Sequence, residues 1–239
     1  MTIQTETMIY EVQGKTYEGV LSWDDAATGP RPGIMVCHAW GGQGDFEADK
    51  CRALAGLGYV GMAVDVYGEG IRGTSTEENA KLMQPLMDDR AELQRRLKGS
   101  LAALQGDDRV DETRIAAIGF CFGGLCVLDV ARAGNDIAGV VSFHGLLGRP
   151  DNIETRPVKA KVMVLHGWDD PMATPDAVLE LTKELSEAGA DWQLHAYGAT
   201  VHAFTNPSAS DPEMGTVYSA KAEKRSIAAM TSFLDELFG

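Results

Sequence analysis

Short apolar runs of strand length recur along the chain, and longer stretches with helical spacing separate them. The runs are "IMVCHAW", "YVGMAVDVY", "RIAAIGF", "IAGVVSFHG", "AKVMVLHG" and "WQLHAYG". Between them lie helical patterns over residues 46–57, closed by Gly58, and over 75–105, where Pro85 is expected to kink or divide the helix. Further helices are expected from 122, from about 175 and from about 216. Strands that alternate with helices predict an α/β fold with a mainly parallel central sheet and helices on both faces. Ahead of this pattern, "MIYEVQG" and "KTYEGVLSW" alternate like an antiparallel hairpin turning near Gly14. No repeat, low-complexity tract or linker interrupts residues 1–239, so one domain is expected.

Composition narrows the partners. The 239 residues include 21 Lys and Arg against 35 Asp and Glu, a net charge of −14, which argues against nucleic acid or an anionic membrane surface. The cysteines are Cys37, Cys51, Cys121 and Cys126, too few for a disulfide scaffold and without a Cys-x-x-Cys pair. The opening "MTIQTETMIYEVQ" has neither a basic nor an apolar leader region, and no run reaches the length of a membrane helix. A soluble, cytoplasmic monomer or homodimer with reduced thiols is expected. The five histidines show no metal-ligand spacing, so neither a metal nor a cofactor is expected. "HAWGGQG" lacks Gly-x-Gly-x-x-Gly and reads as an oxyanion loop rather than a dinucleotide loop.

In sheets of this kind ligands bind beyond the carboxyl ends of the strands. Three stretches fall there. In "GFCFGG", residues 119–124, Cys121 sits between small residues two positions away on either side. A nucleophile on a sharp strand-to-helix turn needs small neighbours, and the helix N-terminus favours thiolate over thiol. In "HGWDDP", either Asp169 or Asp170 is placed to orient an imidazole. In "GATVHAFTNP", His202 lies on the loop between the last strand and the last helix. Nucleophile, acid, histidine is the chain order of the α/β-hydrolase triad.

With "PGIMVCHAWGG", "LAGLGYVGMAVDVYGEG", "IAAIGFCFGG", "VLHGWDDP" and "GATVHAFTNP" together, the chain resembles the dienelactone hydrolase family from about residue 15 onward. The resemblance implies Cys121 as nucleophile, His202 as base and Asp170 as acid, because the family pattern is His-Gly-x-x-Asp. It implies an oxyanion hole from the backbone N–H groups of Phe122 and Trp40. Two positions depart from the pattern. Ala39 stands where the family has a glutamate contacting the resting thiol, with Glu69 a candidate substitute. Asn206 stands where it has an arginine holding the substrate carboxylate. Tyr67, Arg72, His144 and Trp168 follow strand ends and are candidates to line the substrate pocket. Cys37, Cys51 and Cys126 read as core residues.

The expected reaction is hydrolysis of activated carboxylic esters or lactones through a thioester. A thiol leaves a tetrahedral intermediate more readily than a simple alkoxide does, so enolate, phenolate or thiolate leaving groups suit it. The alternatives are a noncatalytic small-molecule-binding homologue and a thiol redox protein using Cys121.

Overall fold

The computed structural model describes residues 2–153 and 156–239, and the chain divides into two compact units, Met1–Ile118 and Gly119–Gly239. The first unit opens with β1 (Ile3–Val12) and β2 (Lys15–Asp24), antiparallel from Ile3↔Asp24 to Val12↔Lys15. The expected turn is the two-residue Gln13-Gly14, both at positive φ, the handedness that matches strand twist. β3 (Arg31–Cys37) runs parallel to β4 (Val60–Val64), and β2 pairs with β4 antiparallel, so the order in this unit is β1-β2-β4-β3-β5, with β5 (Val110–Phe120) crossing into the second unit.

α1 (Asp45–Gly56) follows β3 and packs closely on β4. A Cβ built on Gly61 would lie 2.8 Å from the Cys51 Cα, so glycine lets the helix backbone approach the strand, and Cys51 is buried there. Pro85 does not divide the next helical stretch where expected. α2 (Thr76–Asp88) runs through Pro85, whose carbonyl accepts from Asp89 N–H at 3.0 Å. The break comes at Asp89, whose side chain caps α3 (Arg90–Gln105) by accepting from Glu92 N–H at 3.0 Å.

The second unit contains α4 (Phe122–Arg132), β6 (Gly139–Phe143), β7 (Lys161–Gly167), α5 (Pro175–Glu187), β8 (Trp192–Tyr197) and α6 (Ala220–Phe238). β6, β7 and β8 are adjacent and parallel, in register from Gly139↔Lys161 and Val162↔Trp192. Side chains of β6 and of β7 after Lys161 are buried, as strands covered on both faces require. The chain is thus α/β with mixed, mostly parallel pairing. One element was not expected. The last helix starts at Ala220 rather than near 216, because β9 (Ser210–Asp211) and β10 (Thr216–Val217) form a small hairpin ahead of it.

Candidate active site

β5 ends at Phe120 and α4 begins at Phe122, leaving Cys121 alone to make the turn at φ 56° and ψ −116°. That backbone is costly for any residue with a Cβ and is the kind of strain found at functional positions. The small neighbours are required by close approach. A Cβ on Gly119 would lie 2.0 Å from the Gly123 carbonyl oxygen, and one on Gly124 would lie 2.6 Å from the Gly145 Cα. The Cys121 carbonyl accepts from Gly124 N–H at 2.9 Å and so opens α4, with the thiol partly exposed at the helix N-terminus.

Asp170 lies just beyond β7 and is buried. Its Oδ1 accepts from Met172 N–H at 2.8 Å, and its Oδ2 accepts from His202 Nδ1 at 2.7 Å. Asp169 is exposed, and its backbone N–H donates to Thr200 O at 3.0 Å. The glycine of His-Gly-Trp-Asp-Asp also has a local reason: a Cβ on Gly167 would lie 2.7 Å from the carbonyl oxygens of both Thr200 and Val201. The strand that leads to Asp170 therefore passes directly against the backbone of the loop that carries His202.

The β9–β10 hairpin grips that histidine. His202 N–H donates to Gly215 O at 3.0 Å, and His202 O accepts from Val217 N–H at 3.1 Å. Gly215 has φ 72°, and a Cβ there would lie 2.3 Å from Pro171, next to Asp170. Sequence reading missed this support, although Pro212 and Gly215 punctuate the stretch as turn residues do.

His202 is buried, and among the described residues its Nε2 has no partner at hydrogen-bonding geometry. Burial alone would lower its pKa. The Cys121 thiol and the hydrogen bond to Asp170 outweigh burial and raise it from 6.5 to about 10. The ring is therefore protonated at neutral pH when the sulfur carries its charge. His166 is the contrast beside it: fully buried, with neither ring nitrogen bonded among the described residues, its pKa is lowered by burial and by His202, against Asp170.

The remaining candidates divide. Trp168 is 41% exposed beside the acid loop, and Asn206 is exposed, its Oδ1 accepting from Ser208 N–H at 3.0 Å. His144 is buried and bonded on both ring nitrogens. In the first unit, Tyr67 is buried, and its hydroxyl donates to the Trp40 carbonyl at 2.7 Å. Arg72 donates to the Gln43 carbonyl and side-chain oxygen and to the Gly70 carbonyl. Tyr67 and Arg72 thus hold the 38–44 loop, and these polar groups are already engaged. Glu69 is exposed, with its own φ at 55°. Ala39 accepts from His38 Nδ1 at 2.6 Å, while His38 Nε2 accepts from Val66 N–H at 3.2 Å. Among the described residues no group of His, Cys, Asp and Glu is arranged to hold a metal ion, and no helix is long and apolar enough to cross a membrane.

An α/β fold of this order, with a sharp cysteine turn and a paired aspartate and histidine after later strands, is that of an α/β-hydrolase. The model of the dienelactone hydrolase family matches residues 18–238, and the chain belongs to that family. It is 28% identical to the carboxymethylenebutenolidase of Pseudomonas sp. (strain P51), over 84% of each chain. Among solved structures, "m3DLH" is 34% identical and superposes with a TM-score of 0.95, covering both chains completely. The dienelactone hydrolase-like promiscuous phosphotriesterase P91 from metagenomic libraries is 33% identical with a TM-score of 0.93, again over both chains completely. The protein is a dienelactone hydrolase-like ester hydrolase.

Proposed function

We propose that the chain hydrolyses activated carboxylic esters or lactones through Cys121, His202 and Asp170, by way of a thioester. The observation that carries the reading is the buried His202, bonded at Nδ1 to Asp170 and raised in pKa by the Cys121 thiol. Asp170 fixes the tautomer, so Nε2 is the nitrogen that exchanges a proton with the sulfur. The Cys121 thiolate attacks the carbonyl carbon, forming the C–S bond as the carbonyl electron pair moves to oxygen. Phe122 N–H, at the start of α4, donates to that oxyanion. Collapse breaks the C–O bond, and His202 gives its proton to the departing oxygen. A water then loses a proton to His202 and attacks the thioester, releasing the acid and restoring the thiol.

Asn206 and Ala39 steer the preference away from dienelactone itself. Neither supplies the charge that the family's arginine and glutamate supply. Exposed Trp168 gives an uncharged, apolar surface next to the acid loop, which fits a neutral acyl group. The family match spans both units, which supports reading the chain as one domain. The likeness to P91 adds phosphotriesters as a second electrophile class for the same thiol. The binding-only and redox alternatives lack comparable support, since Asp170 and His202 are paired and Cys126 is fully buried.

The test is stopped-flow turnover of p-nitrophenyl acetate by wild type, Cys121→Ser and His202→Ala. The expected result is a nitrophenolate burst equal to the enzyme concentration, absent in both variants. Steady turnover without a burst, unchanged in Cys121→Ser, overturns the covalent reading.

A further inference from the structure

We propose that His144 is a positioning residue that ties the turn carrying the nucleophile to the loop carrying the base. The inference rests on Cys121 and His202 having those roles. His144 follows β6 at φ 36°, a backbone few residues other than glycine adopt, and its N–H donates to Leu165 O at 2.9 Å. Its side chain is buried. Cys121 N–H is shared between Phe143 O at 3.1 Å and His144 Nδ1 at 3.2 Å.

A backbone N–H can only donate, so Nδ1 must present its lone pair and the ring proton must sit on Nε2. Nε2 then donates to Thr205 Oγ1, 2.8 Å away. Thr205 is buried and lies three residues beyond His202 on the same loop. The His144 ring also packs edge-on against His202, with centroids 5.2 Å apart, and against Phe204 at 5.0 Å. One neutral imidazole thus joins the nucleophile's own amide to a hydroxyl on the base loop while touching the base.

The spacing between sulfur and Nε2 decides how well a proton passes between them, and small displacements there are expensive in rate. A residue that only filled space could be any side chain of similar size. The specific tautomer, with an acceptor toward Cys121 and a donor toward Thr205, argues for positioning.

The test compares His144→Ala, His144→Asn, Thr205→Val and Thr205→Ser with wild type, using p-nitrophenyl acetate and rates normalised to titrated active sites. Asparagine keeps an acceptor near Nδ1, and serine keeps the hydroxyl. His144→Ala should lower the acylation rate constant about 10- to 100-fold, and Thr205→Val about fivefold, with KM changed by less than about twofold. His144→Asn and Thr205→Ser should recover most of each loss. Rates within about twofold of wild type in His144→Ala and Thr205→Val, or no recovery by the conservative variants, overturn the proposal. If His144→Ala does not fold, the Thr205 pair decides by the same readout. A burst lost in Cys121→Ser but untouched in the other variants overturns this inference alone. A wild type without a burst overturns the nucleophile assignment beneath it.

Discussion

Each unit of the molecule buries a histidine on a loop that follows a strand, and the two are driven in opposite directions. His38, after β3, is 0% exposed, and His202 in the second unit is 1% exposed. Burial lowers the His38 pKa from 6.5 to about 4, with Asp65 only partly opposing and Arg72 reinforcing. Its ring nitrogens meet backbone groups, a carbonyl on one side and an N–H on the other. His202 meets a carboxylate and a thiol, and its pKa rises to about 10. Equal burial gives opposite pKa shifts because the partners differ. The histidine bonded to backbone groups is held neutral, and the one beside the carboxylate and the thiol is held toward its protonated form.

Removing the charged partners should make His202 behave more like His38. Asp170→Asn leaves the shape but removes the anchor, and kcat should fall about 10²- to 10⁴-fold, measured with p-nitrophenyl acetate. Cys121→Ala removes the largest influence raising the His202 pKa as well as the proposed nucleophile. Acylation should vanish, and an NMR titration should show the His202 ring deprotonating well below its wild-type value. An unchanged ring pKa in Cys121→Ala would break the comparison.

Stability should carry the same signature. Gly119→Ala forces a Cβ against the Gly123 carbonyl at 2.0 Å and should cost about 3 kcal/mol in urea denaturation. The two histidines then predict opposite slopes with pH. The folded pKa of His38 lies below its unfolded value, so the neutral ring's contribution is present above pH 6.5 and is lost as pH falls toward about 4. The folded pKa of His202 lies above its unfolded value, so its contribution is full below pH 6.5 and is lost as pH rises through about 10. His38→Asn should flatten the acid slope, and Asp170→Asn the alkaline one, both read from denaturation midpoints across pH. The smallest effect expected is that of Tyr67→Phe, which deletes one hydrogen bond to the Trp40 carbonyl and should cost about 1 kcal/mol.

Legibility in the sequence followed the range of the physics. The cysteine turn was readable because the demand for Gly119 is local and steric, set by the Gly123 carbonyl, whereas that for Gly124 is set by Gly145 from the next strand end. The strands were readable from their buried apolar runs, and the Gln13-Gly14 turn from hairpin alternation. The division of the helical stretch was legible from Pro85 but not its position, because α2 continues through Pro85 and the capping side chain of Asp89 sets the boundary. The β9–β10 hairpin was hidden because two-residue strands show no period. Tyr67, Arg72 and His144 are legible as strand-end residues, but, the Gly70 contact of Arg72 aside, their side-chain partners lie 20 or more residues away, at Trp40, Gln43, Cys121 and Thr205. Such pairings come from strand register and loop path, which composition and spacing do not encode.

The most direct test of the central claim is to quench the p-nitrophenyl acetate reaction with acid during the burst and weigh the protein and its peptides by mass spectrometry. The account predicts one acetyl group per chain, on Cys121, released by neutral hydroxylamine and absent from Cys121→Ser. A fully active wild type that carries no acetyl group during turnover, or carries it on another residue, would contradict it.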